Sequence, residues 1–172
     1  MAEDDAIARL ARQIEATQKA ERSQVGADQV ARLRRRGASD LHHLCAEFCA
    51  SVNRRLSDTR LELSPPEYSP EAFRESGPNL IQISSQGRQM QFAFESTPGQ
   101  RASTEKFLIP YVLEGEVRTY NQQMLEHFDI RSRMIFFCVE AETVRWRFFD
   151  WRTRATGPLS GDLLLSLLEP LF

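Results

Sequence analysis

Large hydrophobic residues are sparse over the first part of the chain. Ile7, Leu10 and Ile14 follow an i, i+3, i+7 spacing typical of one helix face, and no comparable residue follows closely. Three such side chains cannot offset the entropy of ordering a helix on a core. The pattern therefore predicts a polar helical arm over residues 1–37, either loosely attached or packed on a partner.

Two glycines are expected to interrupt helix formation before the main domain. Gly26 lies inside the arm, and Gly37 follows three arginines in the manner of the residue after a helix end. Ser39 is a favourable N-cap and predicts a new helix over residues 39–56. This helix has the apolar stripe of a core-facing element, formed by Leu41, Leu44, Cys45, Phe48, Val52 and Leu56.

Beyond residue 79 the hydrophobic period changes from 3.6 to 2, which indicates a sheet. Strand pairs with turns between them, and no alternation of strand and helix, favour an antiparallel α+β fold. We expect about five strands packed against the helix over 39–56 and a C-terminal helix over 160–171, all within one domain over 38–172. The strands comprise a hairpin over 80–95 and segments near 106–120, 131–140 and 143–153. Gly115 is a candidate β-bulge.

Several strands of this predicted sheet are apolar on both faces. Tyr111 and Leu113 alternate with Leu108 and Val112, and residues 134–139 are apolar throughout. Two helices can cover one face, so the other face is expected to meet the arm, a second copy or a different protein. The predicted partner-binding residues are Ile7, Leu10, Ile14, Tyr111 and Trp151.

The charge composition leaves nucleic-acid binding as an alternative hypothesis that depends on a local patch. The 172-residue chain has 22 basic and 24 acidic residues, so no overall field attracts polyanions. Arginines beside aromatic residues on an open sheet can nevertheless bind single-stranded nucleic acid through phosphate contacts and base stacking. The candidates for this function are Arg131, Arg133, Arg145 and Arg147, near Phe149 and Trp151.

Residues capable of metal binding or catalysis are few. His42, Cys45 and Cys49 share one flank of the predicted helix, but cysteines beside a Leu/Phe stripe are usually core residues, and no cofactor is expected. An enzyme using His42, His43 or His127 is a second alternative, although no catalytic motif accompanies them.

The chain begins with acidic residues in place of a secretion signal and contains an odd number of cysteines, which favours a reducing, cytoplasmic location. Its longest strongly apolar run is too short to cross a membrane. The leading interpretation is a non-enzymatic binding or assembly module with a protein partner or a second copy.

Overall fold

The computed structural model describes residues 2–105, 107–140 and 143–172, except for the side chains of residues 2–5 and 20–25. The first element, α1, is a helix over Ala2–Asn53 that runs for 52 residues, or about 78 Å at 1.5 Å per residue. The predicted breaks at Gly26 and Gly37 and the predicted helix start at Ser39 are therefore wrong.

Gly37 lies inside α1 because the helix passes unusually close to the sheet there. A Cβ atom at this position would lie 2.7 Å from Cδ1 of Phe137 and 2.9 Å from Cδ1 of Leu113. The indole Nε1 of Trp146 also donates a hydrogen bond to the Gly37 carbonyl over 2.7 Å. The free energy gained from close packing of α1 on the sheet outweighs the low helix propensity of this glycine.

The sheet has seven antiparallel strands in sequence order, so each strand pairs with the next along the chain. This confirms the predicted antiparallel α+β fold, with two more strands than expected. The strands are β1 (Glu62–Ser64), β2 (Asn79–Ser85), β3 (Arg88–Ser96), β4 (Tyr111–Tyr120), β5 (Arg131–Glu140), β6 (Thr143–Phe149) and β7 (Thr156–Pro158).

The two additional strands, β1 and β7, are three-residue edge strands. The β7 segment contains Gly157 and Pro158. Pro158 is compatible with an edge because one side of that strand needs no hydrogen-bond donors. The register shift in the β4–β5 pair lies between Tyr111 and Leu113, so the bulge predicted at Gly115 is misplaced.

Two short helices complete the architecture. Helix α2 (Gln122–Glu126) joins β4 to β5, and the Asn121 side chain accepts a hydrogen bond from the Met124 amide at its start. Helix α3 (Gly161–Leu168) begins after the cap Ser160 and is followed by a 3₁₀ turn over Glu169–Leu171.

The inner face of the sheet, defined as the face that packs on α1 and α3, forms the main core. Its side chains interleave with the body-facing stripe of α1 and with the leucines of α3. The fully buried members include Leu41, Ile81, Ile83, Met90, Phe92, Phe94, Leu113, Ile135, Phe137 and Leu164.

The outer face, on the opposite side of the sheet, is partly covered by the chain itself. Strand β4 begins at Tyr111 rather than near residue 106, and the connection over 97–110 folds back over the sheet. Phe107 from this connection stacks on Phe136 with ring centroids 4.5 Å apart and contacts the rings of Tyr111 and Phe149. The expectation that this apolar face needs an external cover is therefore wrong around Phe107.

Arg34 of α1 anchors the start of that connection. Its guanidinium donates hydrogen bonds to the carbonyls of Val112, Thr97 and Gly99, the last over 2.6 Å. It also pairs with Glu75 at 3.5 Å. A single half-buried arginine thus ties the long helix to the segment that covers the outer face.

Candidate protein-binding surface

The N-terminal part of α1 extends away from the folded body as an isolated helix. Every described side chain from residue 6 to residue 19 is exposed, and we call this stretch the exposed segment. Contact with the body begins near Gly26, which faces Gln100, and the first core residue of α1 is Val30, only 4% exposed. The body therefore starts earlier than the predicted boundary at residue 38.

The three apolar residues predicted for the arm all lie in the exposed segment. Ile7, Leu10 and Ile14 are 60%, 57% and 49% exposed, and a shallow groove of about 310 Å³ surrounds Leu10 and Ile14. An apolar stripe held on a preformed helix, with no body contact, is an ordered surface available to another protein.

Charged side chains of the exposed segment occupy only one half of the helix surface. At about 100° per residue, Arg9, Arg12, Glu15 and Lys19 project on one side. The opposite half is uncharged, and we call it the seam. The seam consists of Ala6, Ile7, Leu10, Ala11, Gln13, Ile14, Thr17 and Gln18.

The seam is chemically suited to burial. The Thr17 hydroxyl donates to the Gln13 carbonyl within the helix over 2.8 Å, so it can be covered without losing its hydrogen bond. Its large side chains are aliphatic, and its flanking positions are alanine or glutamine. Covering this face therefore desolvates no charge.

The seam also points away from the folded body. Helical rotation places Leu10 about 200° and Ile14 about 160° around the axis from Val30, which faces the core. A helix approaching the seam consequently comes from the side of α1 opposite the core contact of Val30.

The other two predicted partner-binding residues lie on the outer face, and only one of them is accessible. Tyr111 is 2% exposed beneath the 97–110 connection, so it offers no surface to a partner. Trp151 is 55% exposed, follows the end of β6, and borders a depression of about 450 Å³ that Met134 and Phe149 also line. The guanidinium of Arg152 lies 5.2 Å from its ring centroid.

The four arginines of the nucleic-acid hypothesis do not share one surface. In the β5–β6 register Arg145 is opposite Cys138 and Arg147 is opposite Phe136, so both project on the outer face. Arg131 and Arg133 have the other parity of β5 and project on the inner side. Strand alternation therefore divides the predicted group into two pairs.

Three of these arginines are also paired with carboxylates. Arg145 and Arg147 both contact Glu140, at 3.0 and 3.7 Å, and Arg133 contacts Asp150 at 3.2 Å. The Arg152 amide donates to the Asp150 carboxylate, and this hydrogen bond is the main reason that the pKa of Asp150 is lowered. On the neighbouring strand β4, Arg118 pairs with Glu116. Local ion pairs thus occupy the cations that phosphate binding would require.

The candidate metal ligands on α1 serve other roles. Within the part of the chain that the structure describes, no group of three His, Cys, Asp or Glu residues could hold a metal ion. His42 is buried, with Nε2 2.8 Å from the Pro65 carbonyl and its ring stacked on Tyr68. Cys45 and Cys49 are free, buried thiols, as the core interpretation predicts.

The environment of the thiols suppresses their reactivity. Burial raises the pKa of Cys49 to about 11 and that of Cys138 to about 12, from an ordinary value of 9.0, and raises the pKa of Cys45 further still. Because the thiolate is the nucleophile, these side chains are inert at neutral pH.

The three histidines are not arranged for catalysis. His42 is engaged with Pro65, whereas His43 is exposed and lies 3.2 Å from Glu47 one helical turn away. His127 is exposed at the C-terminal end of α2. No hydrogen bond found among the described residues joins a histidine to a serine or cysteine nucleophile.

Two apolar surface features were not identified from the sequence. Phe128, at a positive φ of 54° after α2, is 93% exposed. A groove of about 390 Å³ lies between the end of α1 and α3, with Val52, Leu165 and Phe172 among its lining residues. Strand and helix periodicity could not locate Phe128, because it is a turn residue. It could not locate the groove, because the groove forms only where two elements distant in sequence meet.

The sequence matches no protein-family model, and no curated protein or solved structure is significantly similar to it. Among the described residues, no helix combines the length and apolar content needed to cross a lipid bilayer.

Proposed function

We propose that this protein is a non-enzymatic protein-binding or assembly module whose exposed segment of α1 is the recognition element. The observation that carries the proposal is the seam, an uncharged helix face with three half-exposed aliphatic residues. Recognition by such a face follows the helix-packing mode, in which residues at i, i+3 and i+7 supply the anchors.

The construction of the body supports this role. Residues 26–53 of α1 are fixed to the sheet through Gly37, Arg34 and the core stripe, so the exposed segment is held at one end by a rigid base. Because the fixed part of α1 continues directly into the exposed segment, ordering that segment on binding costs less conformational entropy than folding a fully disordered segment would. We also place the protein in the cytoplasm, a location with which its three unpaired thiols are compatible.

The test compares protein capture by the full chain and by two aspartate variants. Leu10→Asp introduces a charge into the seam, whereas Ala8→Asp introduces the same charge on the opposite side of the same helix. Tagged protein is produced together with untagged protein in its source cells, and bound proteins are quantified by mass spectrometry.

We expect the wild type and Ala8→Asp to capture the same proteins, which can include the untagged copy. Leu10→Asp should reduce that capture at least about tenfold, because a buried charge must be desolvated at the interface. Circular dichroism at a protein concentration too low for partner binding should show the same helix content for both variants. Equal capture by all three proteins would overturn the proposal.

A further inference from the structure

We infer that the occupant of the seam is the seam of a second copy, bound antiparallel so that two chains associate through their exposed segments. This inference rests on the proposed function and specifies the partner. It follows from the residue order in the seam, the charges around it and the direction in which it points.

The residue order is that of a two-heptad helix pair. With Ile7 and Ile14 at the a positions, Leu10 and Thr17 occupy the d positions. The neighbouring e and g positions hold Ala6, Ala11, Gln13 and Gln18, and the four described charges of the exposed segment lie at b, c and f. Self-association thus brings aliphatic, small and amide side chains together and no like charges.

Electrostatics favour the antiparallel orientation. Residues 3–5 are all acidic, whereas Lys19, Glu21 and Arg22 give residues 19–22 a net charge of +1, so antiparallel chains place each acidic end near the net-basic end of the other copy. A parallel pair would bring the two acidic ends together and align the helix dipoles. In the antiparallel register, Leu10 lies opposite the second copy's Ile14, and Gln13 lies close to its own counterpart.

Steric access supports the same arrangement. Because the seam faces away from the side of α1 that carries Val30, a two-fold axis through the exposed segments leaves the two bodies on opposite outer sides. Two heptads bury less area than a standard protein interface, so the dimer should form in the micromolar range.

Sedimentation velocity of the full chain over a concentration series tests the inference. We expect a monomer–dimer equilibrium that persists in high salt, since the seam contains no charge. Leu10→Asp should weaken dimerisation at least about tenfold, whereas Ala8→Asp should change it less than about twofold. A wild-type chain that remains monomeric at several hundred micromolar would overturn the inference.

Two further variants test orientation and location. Mixed Leu10→Cys and Ile14→Cys chains should form a disulfide-linked heterodimer under mild oxidation, whereas efficient cross-linking of Leu10→Cys with itself would contradict the antiparallel register. Leu165→Asp, in the groove beside α3, should leave the dimer unchanged. If it dissociates the dimer, the exposed segment binds that groove and the seam-to-seam pairing is wrong.

The outcomes also separate this inference from the proposed function. A chain that is always monomeric but captures a different protein through Leu10 refutes self-association and retains the binding role. A chain that neither dimerises nor captures any protein through Leu10 refutes both the inference and the proposed function.

Discussion

Gly37 shows how one residue determines where the long helix crosses the sheet. Its missing side chain lets α1 approach Phe137 and Leu113 at distances that a Cβ atom could not tolerate. A Cβ atom added at Gly26, in the same helix, would lie 3.4 Å from the side-chain oxygen of Gln100, so this position has room for a methyl group. The two glycines therefore have different structural roles despite sharing one element.

We expect alanine substitutions at these glycines to have opposite effects on the free energy of unfolding. Gly37→Ala should destabilise the protein by about 1 to 2 kcal/mol, because overpacking a buried contact outweighs the gain in helix propensity. Gly26→Ala should stabilise it by about 0.5 to 1 kcal/mol. Urea denaturation followed by circular dichroism measures both. Stabilisation by Gly37→Ala would contradict the close crossing.

The buried thiols predict a decline in stability at alkaline pH. Unfolded thiols ionise near pH 9, whereas the folded pKa values of Cys49 and Cys138 are about 11 and about 12. The folded state therefore holds more protons above pH 9, and stability should fall as pH rises from about 9 to 12. Denaturant titrations at several pH values should show a shallower decline in a Cys49→Ala/Cys138→Ala variant. An identical decline would indicate that other groups are responsible.

At the residue scale, sequence reasoning predicted features that depend on neighbouring residues. It failed for features that depend on contacts between residues far apart in the chain. The start of the C-terminal helix near residue 160 and the hairpin over 80–95 were predictable, because they depend on residues close together in the chain. Gly37 was misread as a helix end because its role requires knowing that Phe137 and Leu113 lie against it. Ile7, Leu10 and Ile14 were identified as the apolar residues of an arm, but the unbroken continuation of that arm into the core helix could not be derived from their spacing.

At the scale of elements, the connection over 97–110 changes what the sheet exposes. Phe107 is buried against Phe136, Tyr111 and Phe149, whereas its neighbour Leu108 is 77% exposed. Arg34 holds the beginning of this connection against α1. The outer face is therefore shielded by a loop, which buries Phe107 in the aromatic cluster and packs Ala102 and Ile109 against it.

Phe107→Ala should destabilise the protein by about 3 kcal/mol, since it removes a large ring from a closed cluster. It should also increase binding of the dye ANS, because Phe136 and Phe149 become accessible. Leu108→Ala is the matched control and should change stability by less than about 0.5 kcal/mol. Equal effects of the two substitutions would show that the connection does not cover the outer face.

The strands of the sheet were easier to predict than the connections. Alternation located β2 to β6, and the bounds of β5 agree with the expected 131–140. The apolar run before β4 was assigned to the strand, because alternation cannot distinguish a strand from a loop that packs on the same face. The edge strands β1 and β7 have three residues each, too few for a periodic signal.

At the scale of the whole molecule, the protein consists of a seven-stranded sheet that encloses its own core and a helix that extends beyond it. In the part of the chain that the structure describes, nothing covers the exposed segment, although its sequence has a consistent uncharged face. Isolated helices of this length are marginally stable in water, and most helix stability in proteins comes from packing. Association with another helix would supply that packing.

Amide hydrogen exchange of residues 6–19, measured at increasing protein concentration, tests this account most directly. Protection in the exposed segment should rise from low to several hundred micromolar protein, because the second copy stabilises the helix by mass action. Amides in β4 and β5 should remain unchanged, and Leu10→Asp should abolish the concentration dependence. Exchange of residues 6–19 that is independent of protein concentration in the wild type would contradict the account.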